Sequence, residues 1–125
     1  MRHQLLGAWF DGRLVGTSGW IASEGSALAA RIRWVYVQPL FTGVGLGTRL
    51  VEAAEAAARR GGFKVFAVEA TLNAVEFFAG LGYETSSHGV RSLPRGQTLA
   101  VAYMRKHLGD EAQVRPARDE AADEG

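Results

Sequence analysis

The chain has 125 residues, 47% of them hydrophobic, and a net charge of +1, which suits one packed domain and excludes a globally disordered chain. It contains no cysteine, so disulfides, thiolate metal sites and a thiol nucleophile are excluded, and its three histidines (His3, His88 and His107) are too scattered for a metal cluster. No apolar run reaches the ~20 residues of a membrane-spanning helix, and the first residues lack the basic, apolar, small-residue order of a signal peptide, so a cytoplasmic protein with no membrane partner and no metal is expected.

In chain order, residues 4–10 read as a strand and Asp11-Gly12 as a hairpin turn. A strand over residues 14–21 follows, with Thr17, Trp20 and Ile21 as good strand formers. Residues 28–37 form a third strand, which Pro39 stops because proline cannot continue a ladder. After a glycine-rich turn, Leu46, Leu50, Val51, Ala54 and Ala58 recur at helical spacing. They predict a helix over about residues 45–60, with Glu52, Glu55, Arg59 and Arg60 on its polar side and Gly61-Gly62 as its cap. Residues 64–69 predict a short buried strand, parallel to the third because a helix joins the two. A short helix over residues 72–80, with Phe77, Phe78 and Leu81 inward, leads through Gly82-Tyr83 to a return strand. Residues 86–96 read as loop and residues 97–104 as the last strand. Residues 110–125 hold six acidic residues against two arginines, so residues 1–108 are expected to form the domain and residues 109–125 an acidic, flexible tail. The remaining twelve basic and seven acidic residues make a basic body, which fits a phosphorylated ligand and an ordinary solvated surface equally well. Its arginines are dispersed, with no basic stripe for nucleic acid.

The turn Gly43-Val44-Gly45-Leu46-Gly47-Thr48 carries the most chemistry. Glycines let a ligand approach the backbone, and a helix start offers N–H groups without intrahelical acceptors at the positive end of the dipole. Together they suit a phosphate or diphosphate. The turn fails the dinucleotide fingerprint, because Thr48 stands where the last glycine belongs, and it lacks the Gly-Lys-Ser/Thr ending of a nucleotide-hydrolase loop. By itself it fits a bare strand-to-helix turn as well as an anion site.

The flanking residues add a resemblance. Val37-Gln38-Pro39-Leu40-Phe41-Thr42-Gly43-Val44-Gly45-Leu46-Gly47-Thr48-Arg49-Leu50 resembles motif A of the GNAT superfamily of acyl-CoA-dependent N-acyltransferases, and Leu72-Asn73-Ala74-Val75-Glu76-Phe77-Phe78-Ala79-Gly80-Leu81-Gly82-Tyr83 is similar to that family's second signature. The resemblance covers about residues 4–107. It implies an α/β (α+β) fold: a mixed, mostly antiparallel sheet with flanking helices, and a central parallel strand pair that splays to admit the pantetheine arm of acetyl-CoA. Carried over, it assigns the main chains of Val35 and Val37 to pantetheine and the amides of Gly43, Val44, Gly45, Gly47 and Thr48 to the diphosphate. Thr42, where the family usually has arginine or glutamine, keeps a hydroxyl for a phosphate oxygen. Asn73 fits a ligand of the cofactor and a helix N-cap equally.

The same resemblance implies an N-acetyltransferase that moves an acetyl group to a small-molecule or protein amine. A backbone N–H near Val37 would serve the oxyanion. Glu69 is the candidate base, with a plain strand-end carboxylate as its alternative, and Tyr36 is a second candidate. Phe78 stands where many members place the tyrosine that returns a proton to the thiolate. That substitution keeps open a CoA-binding module with weak or lost catalysis and a regulatory or scaffolding role. Arg31 and Arg33 supply positive charge where some relatives supply a carboxylate, which favours an acidic acceptor. The chain begins at what resembles the family's second strand, without the first strand and the helix pair after it, and the exposed sheet edge predicts a homodimer.

Overall fold

A computed structural model of the chain describes residues 2–23 and 29–107; the acidic tail lies outside the described residues. Strands β1 (His3–Phe10) and β2 (Arg13–Ala22) form a hairpin. Asp11 (φ 53°) and Gly12 (φ 77°) turn it with both central residues left-handed, the geometry that matches the twist of the paired strands. β3 (Ala29–Val37) and a single turn at Pro39–Phe41 lead into α1 (Leu46–Arg60). β4 (Val65–Thr71), a turn at Leu72–Ala74, α2 (Val75–Gly80), β5 (Glu84–Ser92), a turn at Pro94–Gly96 and β6 (Thr98–His107) complete it. The six strands form one sheet in the order β1-β2-β3-β4-β6-β5. Only β3 and β4 run parallel, as the intervening helix requires. No helix among the described residues is long and apolar enough to cross a membrane.

The core lies between one face of the sheet and the two helices. Val51, Ala54, Ala57 and Ala58 of α1 meet Trp20, Ile32, Phe66 and Val68 of the sheet, and Phe78 of α2 joins them beside Tyr83. The run of alanines lets the helix sit close to the strands. α1 ends at Gly61-Gly62 as expected: Gly61 donates to the Ala57 and Ala58 carbonyls (3.2 and 3.0 Å), and Gly62 adopts φ 97°.

Three expectations change. The return strand expected after Gly82-Tyr83 is β5, but it runs on to Ser92 through most of the segment read as loop, because it pairs along its length with β6. It is an exposed edge strand of polar residues, so it shows no apolar alternation. Phe77 does not face the core: it is 37% exposed. Glu55, assigned to the polar side of α1, is only 7% exposed. It stands four residues after Val51 and three before Ala58, on the apolar stripe itself. Its Oε2 accepts from Tyr83 Oη at 2.6 Å, and Lys106 Nζ donates to Oε1 at 3.1 Å. Burial, then the hydrogen bond and charge of Glu55, push the Tyr83 phenol well above its ordinary pKa, so it stays a donor. This group ties α1 to β6 and to the turn after α2.

Removing one partner of a buried ion pair strands the other's charge. Lys106→Met is therefore expected to destabilise the fold by about 3 kcal/mol. Glu52→Gln, on the exposed side of α1, is expected to stay within about 0.5 kcal/mol of the parent. Urea unfolding of both variants measures the difference.

Candidate functional site

The site begins with an irregularity in β3. Thr17 pairs with Tyr36 and Gly19 with Arg33, so Trp34 and Val35 stand opposite the single residue Ser18. This is a β-bulge, and Trp34 adopts φ 59°, a conformation that costs a bulky residue about 1–3 kcal/mol. Surrounding groups hold it there. Thr17 Oγ1 donates to the Trp34 carbonyl at 2.6 Å, and the Trp34 ring meets His3 edge-on at 6.4 Å. The ring also covers Gly19, where an added Cβ would sit 2.5 Å from Trp34 Cε3 and 2.5 Å from the Gln4 carbonyl oxygen.

Beside this bulge the parallel pair comes apart. β3 and β4 pair only at Ala29, Ala30 and Arg31 with Val65, Phe66 and Ala67. Beyond these, β3 continues along β2 while β4 continues along β6 as far as Thr71. Gln38 spends its N–H on the Val15 carbonyl across β2 (2.8 Å). Along an extended strand successive N–H groups point to opposite edges, so that of Val37 faces the gap.

Two clefts open at this gap. The glycine cleft, about 460 Å³, is lined by Val35, Val37, Thr42, Gly43, Gly45, Gly47, Thr48 and Phe77. Gly43 (φ 84°) and Gly45 (φ 83°) make the left-handed turn that the other residues would resist. Gly45 caps α1, and the first bond of the helix runs from Arg49 N–H to the Gly45 carbonyl at 3.1 Å. Among the described residues, the amides from Gly43 to Thr48 have no backbone acceptor. The first turn of α1 has no acidic residue, while Arg59 and Arg60 occupy the last, so its positive end is uncompensated. These donors and this dipole fit a diphosphate.

The second, the arginine cavity, is about 320 Å³ and lies where β3 and β4 part. Its lining includes the core residues Ile32, Val68, Ala70 and Phe78 together with Arg31, Arg33, Trp34, Glu69 and Arg91. Val35 lines both spaces, so they adjoin at this residue. Arg91 Nε donates to Glu69 Oε2 at 2.5 Å, which raises the arginine's pKa and keeps it a cation.

The expected residues fall as follows. Val35, Val37, Thr42, Gly43, Gly45, Gly47 and Thr48 share one cleft. The Val44 side chain instead lines a separate hollow with Phe10 and Phe41 under the hairpin, so only its amide belongs to the turn. Thr42 spends its hydroxyl proton on the Pro39 carbonyl at 2.9 Å rather than offering it outward. Asn73 lines neither cleft; its Oδ1 accepts from Thr71 Oγ1 at 2.6 Å, and it makes no helix cap, since Ala74 is the N-cap residue of α2. Glu69 reaches the arginine cavity, whereas Tyr36 is 56% exposed and lines neither space. Two participants were missed. Phe77 stands 3.5 Å from where a Gly47 Cβ would be, forming the cleft wall opposite the helix. Arg91 lay in the segment read as loop.

The comparisons agree with this geometry. Residues 1–93 match the family described as "Acetyltransferase (GNAT) domain". The chain belongs to the GNAT acetyltransferase family. A GCN5-related N-acetyltransferase from Rhodopseudomonas palustris is 31% identical with a TM-score of 0.71, over 85% of this chain and 62% of its own. The chain thus spans less than two thirds of that relative. Ribosomal-protein-alanine N-acetyltransferase from Brucella melitensis (22% identity, TM-score 0.72, 83% of this chain, 68% of its own) shares the fold. So does the Salmonella typhimurium protein yncA, solved with its cofactor acetyl-CoA (20% identity, TM-score 0.73, 94% and 69%). No curated protein matches the chain.

Proposed function

We propose that the chain is an N-acetyltransferase that moves the acetyl group of acetyl-CoA to an amine. The observation that carries this reading is the meeting of the two clefts at Val35, one rich in unpaired amides and the other holding a carboxylate. Coenzyme A's diphosphate takes the amides at the start of α1, and its pantetheine arm runs along Val37 and Val35 past Phe77 into the gap. The thioester then lies at the junction.

The neutral amine nitrogen attacks the thioester carbonyl carbon from the arginine cavity. The C–N bond forms, the carbonyl oxygen becomes an oxyanion served by the Val37 N–H, and collapse expels the thiolate as the C–S bond breaks. Glu69, steadied by Arg91, takes the amine's proton. Holding the two reactants at one junction supplies much of the acceleration. Phe78, 8% exposed beside the Tyr83 ring at 5.6 Å, has no hydroxyl to return a proton to the leaving thiolate. Water, or the proton that Glu69 has taken from the amine, must serve that sulfur. Phe78 also favours a second reading, a CoA-binding protein with little turnover.

Thiol release from acetyl-CoA, followed with a panel of amines, separates the two readings. Transfer is expected for at least one amine; coenzyme A binding with no release over buffer for every amine supports the second reading. For a transferred amine, Glu69→Gln is expected to lower kcat by roughly 100-fold, the usual scale of general-base loss, with coenzyme A affinity unchanged.

Gly47→Asp tests the diphosphate position without confounding it with misfolding. Gly47 is a helical residue of the first turn, and an added Cβ would meet only ordinary contacts from 3.5 Å outward. A carboxylate there favours the helix by dipole and propensity but repels a diphosphate. The variant is expected to unfold no earlier than the parent and to lose at least about tenfold in coenzyme A affinity by calorimetry, a loss of ~1.4 kcal/mol.

A further inference from the structure

We infer that the acceptor amine carries an anionic group, a carboxylate or a phosphate, which binds to Arg31 and Arg33 in the arginine cavity. This rests on the transferase reading above and names the substrate class of the same site.

Three arginines, Arg31, Arg33 and Arg91, line the cavity against one acidic residue, Glu69. Arg91 and Glu69 satisfy each other at 2.5 Å. The surplus therefore resides on Arg31 and Arg33. Among the described residues neither makes a salt bridge. Arg33 lies against the Trp34 ring, 5.6 Å from its centroid, a contact that holds the guanidinium plane while leaving its edge donors available. Pairing of Arg31 with Ile21 and of Arg33 with Gly19 sets both on the face of the sheet away from α1. Their α-carbons stand roughly 7 Å apart by strand geometry, close enough for both forks to hold one anion.

Their place along β3 orients the acceptor. Arg31 is the last residue of β3 paired with β4, Arg33 follows it by two residues, and Val35, two residues further, marks the junction with the glycine cleft. An anion held by the arginines directs the other end of a short molecule along the gap toward Val35, where its nitrogen meets the thioester near Glu69. A simple amine would enter a cavity of like charge with nothing to offset the repulsion. An amine with an anionic group neutralises it.

The test measures kcat/KM by thiol release for three acceptors of similar length: 3-aminopropanoate, 2-aminoethyl phosphate and neutral 3-aminopropanamide. Each is run with the parent and with the double variant Arg31→Gln/Arg33→Gln. The parent is expected to prefer at least one anionic acceptor over the amide by roughly tenfold or more, the scale of a charge-assisted hydrogen bond. The favoured arm tells carboxylate from phosphate. In the double variant the preference is expected to fall to within about twofold, through KM, with acetyl-CoA affinity and the unfolding midpoint unchanged. Equal use of the amide by the parent, or a preference that survives in the variant, overturns the inference. If none of the three releases thiol, the transferase reading is left to the wider amine panel, and calorimetric titration of the same three compounds into the protein saturated with coenzyme A decides this one. Binding confined to an anionic compound and lost in the variant upholds the anion site. Equal binding of all three, or none, overturns it.

Discussion

The bulge in β3 sets Trp34 and Val35 opposite Ser18 alone, and the functional geometry is built around that extra residue. From Ala29 to Arg31 the central strands hold together as an ordinary parallel pair. Past Arg31 they part, and a gap crosses the middle of the sheet with a backbone edge exposed along it. Such an edge in the interior of a sheet is normally intolerable, because its N–H and C=O groups need partners. Here it forms the junction of two spaces, and a bound pantetheine would supply the partners. The strain at Trp34 is held by Thr17, by the ring lying on Gly19 and by the edge contact with His3, so the opening belongs to the folded chain rather than to a bound ligand.

The rest of the fold keeps the two sides of that gap in register. The alanines of α1 bring the helix close to β2 and β3, which fixes where the glycine turn delivers its amides. The buried Glu55 ties the same helix to Lys106 of β6 and, through Tyr83, to the end of α2. Since β6 is the partner of β4, this polar group links the strands on either side of the gap through α1. It is also the least replaceable polar feature of the core, since removing any one member leaves a buried group unsatisfied.

Much of this was legible in the residues. The glycine turn, the helix after it and the strand that precedes it announce themselves by spacing, and the resemblance through Val37, Pro39 and residues 72–83 turned an anonymous anion site into a family assignment. What stayed hidden was hidden for physical reasons. The return strand after Gly82-Tyr83 was legible but its extent was not: β5 runs on as a polar edge strand whose pairing to β6 is long-range, so no local pattern marks residues 86–92, and with them went Arg91. Glu55 sat on the apolar stripe in plain view, but its charge outweighed its position. Asn73 looked like a cap and belongs to a turn one step earlier. The bulge itself has no local signature: Trp34 is a strong strand former, and its left-handed backbone is imposed by contacts with β1 and β2.

Binding and chemistry therefore rest on different residues. The backbone supplies most of what would hold a diphosphate and a pantetheine arm, whereas in the proposed reaction Glu69, Arg91 and the absence of a hydroxyl at Phe78 would govern what happens at the junction. The central claim, that the ligand enters across the parted strands, is tested most directly by following backbone amide resonances during titration with coenzyme A. The account predicts that the amides of Gly43 to Thr48, Val35 and Val37 shift together and gain protection from exchange, while those of β5 and the hairpin tip do not. Shifts confined to the hollow under the hairpin, or none in Val35 and Val37, would contradict it.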